Sequence, residues 1–133
     1  MKRQRIKLRD YGWLVYAYYN VTSYDIAEVY DALISIGCDG FDLDDAWENL
    51  NSKDPNRGLT YSNFRNRESV IVISPTTSAE QFAKTWRHEI GHLATHIASA
   101  FKLNLEGEEI QYIGDKIVGE TWSIAKDMLC ECS

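Results

Sequence analysis

The segment that decides the fold predicted for this chain runs from Ser78 to Phe101, with the sequence SAEQFAKTWRHEIGHLATHIASAF. Ser78 followed three residues later by Gln81 has the pattern of a capping box, which marks the first turn of a helix. Apolar side chains then recur at intervals of three and four residues, as on the core-facing side of a helix: Phe82, Trp86, Ile90, Leu93, Ile97 and Phe101. The segment therefore predicts one long amphipathic helix that packs on the rest of the protein.

Within this helix, residues 88–92 form the pattern H-E-x-x-H. Residues i and i+4 lie one turn apart on the same helix face, so His88 and His92 can bind one metal ion. Zn²⁺ lowers the pKa of a bound water to about 7, and the intervening Glu89 can take the proton of that water and return it to a leaving amine. The motif therefore predicts a zinc-dependent hydrolase with Glu89 as its catalytic base. The favoured interpretation is a small metallopeptidase.

A catalytic zinc site needs a third protein ligand and one open position. His96 continues the four-residue series, but it lies about 80° around the helix from His88, which strains a tetrahedral site built on one straight helix. A carboxylate from the next predicted helix is easier to place, and the stretch Gly107-Glu108-Glu109 offers two. Glu109 lies nearer the apolar face of that helix than Glu108, yet a metal ion can lie at the border of a core. On the residues alone, Glu108, Glu109 and His96 all stay candidates.

Three stretches resemble a group of small zincin-like proteins found in phages and prophages of gut Bacteroides-type bacteria: HEIGHL (88–93), THIA (95–98) and GEEIQYIG (107–114). Proteins of this group have an H-E-x-x-H helix, followed by a glutamate four residues before a Tyr-Leu/Ile-x-Gly-like run. The resemblance implies Glu108, four residues before Tyr112, as the third ligand. An alanine is frequent near the position of Gln111 in the group, and this departure keeps the choice between Glu108 and Glu109 open.

Weaker similarity at residues 24–29 and 58–63 extends the resemblance over most of the chain. It implies a minimal zincin-like α+β fold, with a small antiparallel or mixed sheet packed on the H-E-x-x-H helix and a C-terminal helix after it. The order of elements predicted from the residues agrees: strands at 5–9 and 13–20, helices at 23–36 and 42–50, a hairpin of strands at 59–64 and 69–74, and then the two helices. We expect residues 1–133 to form a single domain.

Charge and composition limit the other classes of function. The net charge of −6 disfavours a general nucleic-acid role, and the basic residues among the first nine alternate as on the solvated face of a strand. There is no apolar run as long as a membrane span and no signal-peptide pattern. We therefore expect a cytoplasmic protein that acts on a peptide or protein substrate, without nucleic-acid or membrane partners and with its oligomeric state open.

Three cysteines are an odd number, which argues against a disulfide framework. The pattern Cys130-Glu131-Cys132 could bind a metal ion, but free thiols are the favoured interpretation because C-x-C alone is a weak motif. Cys38 follows a predicted helix end at Gly37, and we expect it to be a small buried apolar residue.

Two alternatives to an enzyme stay open. The zinc site could be structural, closed by the three histidines and a glutamate, in a phage- or prophage-encoded binding module; or the metal site could be lost and the fold retained as a scaffold. An intact Glu89 argues against both, because a structural site does not need that residue. If the protein is a hydrolase, His96 and Tyr112 are candidate hydrogen-bond donors to the oxygen that gains negative charge.

Overall fold

The computed structural model describes residues 1–130, and it has an α+β fold with four strands and four α-helices. The elements in chain order are β1 (Lys2–Leu8), β2 (Trp13–Tyr19), α1 (Ile26–Ser35), α2 (Gly40–Asn51), β3 (Gly58–Asn63), β4 (Glu68–Ile73), α3 (Ala79–Ala100) and α4 (Glu108–Met128). The predicted α+β class is therefore confirmed. The prediction for Cys130 and Cys132 falls partly outside the described residues, since Cys132 is not among them.

The four strands form one mixed sheet in the order β1-β2-β4-β3. The β1–β2 and β3–β4 pairs are antiparallel, and the β3–β4 pair confirms the predicted hairpin. The β2–β4 pair is parallel, with Leu14 opposite Glu68 at one end. Because β3 is the last strand in this order, one of its sides pairs with no other strand, and at its start the Asn49 side chain donates to the Gly58 carbonyl at 3.1 Å.

Helices cover both faces of the sheet. On one face, α3 and α4 pack on inward side chains of β1, β2 and β4 such as Ile6, Val15 and Ile73. On the other face, α1 and α2 pack on Tyr18, Val70 and Val72. The apolar run of β4 is explained by this arrangement, because a strand that is buried on both faces needs no polar alternation.

The α3 helix begins as its sequence predicts. The backbone N–H of Gln81 donates a hydrogen bond to the side-chain oxygen of Ser78 at 3.1 Å, so Ser78 is the N-cap. The predicted apolar stripe is buried from Phe82 to Ile97, and only its last member, Phe101, is partly exposed. Capping and the stripe together fix which side of α3 faces the core and which side carries the polar motif.

The α4 helix runs antiparallel to α3 and packs on it. One buried contact shows which turns of the two helices lie side by side. The indole N–H of Trp86 donates to the hydroxyl of Thr121 at 3.1 Å. Within residues 1–130, no helix has both the length and the apolar character that a membrane span needs.

Candidate metal centre

The two histidines of the H-E-x-x-H motif lie together on the exposed side of α3. The Nε2 atoms of His88 and His92 are 3.0 Å apart, and the ring centroids are 4.5 Å apart with nearly perpendicular planes. Both side chains are exposed. The helix thus brings two ring nitrogens to one point on the surface, as the four-residue spacing predicts.

This pair fits zinc in its geometry and in its donor atoms. Two imidazole nitrogens bound to one tetrahedral zinc ion at 2.0–2.1 Å are about 3.3 Å apart, close to the observed separation. Neutral imidazole is also a donor that Zn²⁺ prefers. His88 and His92 could therefore hold a zinc ion with only a small movement of the rings.

Glu89 lies between them in sequence but faces the sheet. The residue is 4 % exposed, and the hydroxyl of Thr60 donates to its Oε1 at 2.7 Å. A Cβ built on Gly58 would lie 2.5 Å from Glu89 Oε2 and 2.6 Å from its Cγ, so the carboxylate lies directly against the backbone of β3. Only glycine at position 58 permits this approach.

Glu89 and His88 line one open cavity, with a volume of about 280 Å³. The other lining residues come from the start of β3, from the loop before it and from α3: Asn56, Gly58, Gln81, Lys84 and Thr85. The buried carboxylate therefore reaches solvent on the same side as a candidate zinc ligand, as a catalytic base requires.

Three small or polar residues of β3 form a row that faces α3. Residues two apart in a strand lie on the same face, so Gly58, Thr60 and Ser62 alternate with Leu59 and Tyr61, which pack on the other side of the sheet. The row contacts α3 through Thr60 at Glu89 and through Ser62 at His96. These residues are not among those predicted for the site. The signal that could have found them is the alternation of small or polar residues along β3, and its reason is the packing of α3 on this face.

His96 is half-buried, and its Nδ1 is 2.7 Å from the hydroxyl oxygen of Ser62. Burial lowers the pKa of His96, and the nearby His92 lowers it further. The centroid of its ring lies 5.4 Å from the centroid of the Phe64 ring. The Nδ1 side of the His96 ring thus faces β3.

Glu108 and Glu109 lie at the start of α4, farther along the helix pair than His92. Both are exposed in the first turn of α4. Counted from the Trp86–Thr121 contact with a rise of 1.5 Å per residue, the backbone of Glu108 lies about 10 Å beyond the backbone of His92 along the helix pair. Across residues 1–130, no three side chains from His, Cys, Asp and Glu form a group that could hold a metal ion.

The carboxylate of α4 that lies level with His92 is Asp115. Asp115 is six residues before Thr121 in α4, and His92 is six residues after Trp86 in α3. Because the helices are antiparallel, both residues lie at a similar distance along the helices from the Trp86–Thr121 contact. Asp115 lines a groove of about 410 Å³ between the helices, opposite Gly91 of the motif, where an added Cβ would meet nothing within 4 Å. The sequence pattern gives the angle of a residue around its own helix, but not its position along the neighbouring helix.

Comparison with known proteins gives no match: no family model, no curated protein and no solved structure matches this chain.

Proposed function

We propose that the protein is a small zinc-dependent peptidase with a zincin-like fold, of the phage and prophage type that its motif residues resemble. The observation that carries this proposal is the convergence of His88 Nε2 and His92 Nε2 to 3.0 Å, beside a buried glutamate that opens into the same cavity as His88. A structural zinc site needs the two histidines but has no use for Glu89 at this place.

His88 and His92 would supply two zinc ligands. Glu108 and Glu109 stay the predicted candidates for the third, and the level of Asp115 along α4 adds it to the set to be tested. When bound, zinc supplies a Lewis acid that polarises the scissile carbonyl and makes water more acidic.

Glu89 acts as the general base. Thr60 holds the Oε1 atom of Glu89 by a hydrogen bond, and the backbone at Gly58 limits where the carboxylate can move. The other oxygen is then available to accept a proton from the attacking water and to pass it to the leaving amine. The environment thus orients the carboxylate before substrate binds.

The side of β3 that pairs with no other strand is the proposed place for the substrate. An extended peptide can add to an exposed strand edge through backbone hydrogen bonds, with alternate side chains directed to either face. Gly58 and Thr60 belong both to this edge strand and to the contacts of Glu89. A peptide paired with β3 therefore passes next to the proposed base, which favours a peptide bond as the bond that is cleaved.

Replacement of Glu89 by glutamine tests the mechanism. We expect Glu89→Gln to lower the turnover of a fluorogenic peptide library by about 100- to 10,000-fold, the usual contribution of a general base, while zinc binding stays unchanged. Glu80→Gln makes the same chemical change at an exposed position of the same helix, in an ion pair with Lys84, and should keep full turnover. Equal turnover by the wild type and Glu89→Gln would contradict the proposed mechanism.

The same measurements separate the alternative functions. Zinc binding by His88 and His92 without turnover of any peptide would favour a non-catalytic zinc-binding module. Neither zinc binding nor turnover would favour a scaffold whose interactions lie elsewhere on its surface. Glu108→Gln, Glu109→Gln and Asp115→Asn, titrated with zinc in parallel, identify which carboxylate strengthens zinc binding.

A further inference from the structure

A chain of hydrogen bonds runs from the core to His96. The indole N–H of Trp13 donates to Ser69 Oγ at 2.8 Å, and Ser69 Oγ is 2.6 Å from Ser62 Oγ. Ser62 Oγ is in turn 2.7 Å from His96 Nδ1. Trp13, Ser62 and Ser69 are all buried, so each contact has to be made within the protein.

The direction of this chain follows from its first member. An indole N–H can only donate, so Ser69 Oγ is the acceptor for Trp13. Ser69 can then donate its own hydroxyl proton to Ser62, and Ser62 can donate its proton to His96 Nδ1. In this direction the three contacts use three protons, and every buried hydroxyl both accepts and donates.

A proton on His96 Nδ1 would disturb this balance. Four protons would then compete for three contacts, and one buried donor would lack an acceptor. Ser69 is fully buried, and within residues 1–130 its hydroxyl contacts only Trp13 and Ser62. Because an unsatisfied buried donor loses its hydration without compensation, the chain favours a His96 ring with a bare Nδ1.

We propose that His96 is a fixed hydrogen-bond donor of the catalytic site: the chain from Trp13 holds its ring in the Nε2–H tautomer, and Nε2–H donates to the carbonyl oxygen that gains negative charge. This role rests on the proposed peptidase function. His96 is then a catalytic residue, whereas Trp13, Ser62 and Ser69 are positioning residues that act through it.

The position of His96 suits this role. His96 and Glu89 contact Ser62 and Thr60, which lie two residues apart on the same face of β3. The Nε2 atom of His96 makes no hydrogen bond to any residue from 1 to 130, and it is not among buried atoms that lack a partner, so it reaches the surface. A peptide along β3 therefore passes both the base and the donor.

The same tautomer excludes His96 from the zinc ligands. A histidine binds zinc through a ring nitrogen that carries no proton, and Nε2 carries the proton here. His96 therefore differs in function from His88 and His92, although all three follow one another at four-residue intervals.

The tautomer can be measured directly in metal-free protein, without any substrate. Long-range ¹H–¹⁵N correlation spectra distinguish a protonated from a bare ring nitrogen. We expect His96 to show Nε2–H and bare Nδ1 in the wild type, and Ser62→Ala to lose this fixed preference. A wild-type spectrum with the proton on Nδ1 would overturn the proposal.

Two substitutions then separate a catalytic from a structural role. Asparagine places its amide near the position of Nδ1 and keeps a partner for Ser62, whereas glutamine places an N–H near the position of Nε2. We expect His96→Asn to lower kcat on fluorogenic peptides by about 100-fold, with KM nearly unchanged, and His96→Gln to recover part of the loss. A lower kcat for His96→Gln than for His96→Asn would indicate that the Ser62 contact alone matters, and would overturn the proposal.

Zinc binding distinguishes failure of this inference from failure of the proposed function. Both His96 variants should bind zinc as tightly as the wild type; loss of zinc in His96→Asn would make His96 a ligand and overturn the donor role. If zinc-loaded wild type cleaves no peptide, the peptidase proposal and the catalytic role of His96 fall together, whereas a Nδ1–H tautomer overturns the donor role alone.

Discussion

Gly58 shows how a single residue shapes the proposed site. The Glu89 side chain occupies the space that a Cβ at position 58 would need. Gly58→Ala should therefore push the carboxylate away from β3 and reduce the free energy of unfolding by about 1–3 kcal/mol, as overpacking does in other cores. Urea unfolding followed by circular dichroism measures the change.

Gly119 provides the matched control for this substitution. It lies exposed in α4, and a Cβ there would meet nothing within 4 Å. Gly119→Ala should stabilise the protein by about 0.5–1 kcal/mol, since alanine loses less backbone entropy in a helix. Equal effects of the two substitutions would contradict the close approach of Glu89 to β3.

Cys38 is buried, which confirms its prediction as a small buried apolar residue. Burial, together with the nearby carboxylates of Asp42 and Asp39, raises the pKa of its thiol to about 11. Since the thiolate is the reactive form, iodoacetamide near neutral pH should modify exposed Cys130 in the native protein but Cys38 only after unfolding. Peptide mass spectrometry before and after addition of urea tests this; rapid native modification of Cys38 would contradict it.

At the scale of elements, α3 was predictable because its signals are local. The Ser78 cap and the apolar stripe both lie within the helix or next to it. Ser78→Ala should cost about 1 kcal/mol of folding free energy, the usual value for loss of an N-cap. Ser99→Ala, at an exposed position near the end of α3, should cost nothing, because alanine is the better helix former. A thermal melt that ranks the two variants the other way would contradict the assigned helix start.

The features that the sequence analysis did not supply depend on contacts between distant segments. The parallel pairing of Leu14 with Glu68 leaves no local pattern, since strand periodicity does not identify the partner strand. The contact of Glu89 with Thr60 likewise follows from the packing of α3 on β3. The levels of Glu108 and Asp115 follow from the packing of α4 on α3, so the residues alone could not decide the third ligand.

At the scale of the whole molecule, the proposed site is built by only part of the fold. The histidine pair lies on the exposed side of α3, which packs against α4 and β3, whereas α1 and α2 lie on the opposite face of the sheet and complete a second core. The sheet between them holds β3 in place against α3. Zinc would therefore bind to a surface that the two cores already fix, and its removal should leave the fold intact.

The most direct test of zinc binding is the zinc content of purified protein, measured by inductively coupled plasma mass spectrometry after zinc loading and desalting. The account predicts about one zinc ion per chain in the wild type and in Glu80→Gln, which changes an exposed residue two turns before His88, and almost none in His92→Ala. Wild-type protein that retains no zinc, or His92→Ala protein that retains as much as the wild type, would contradict the zinc site.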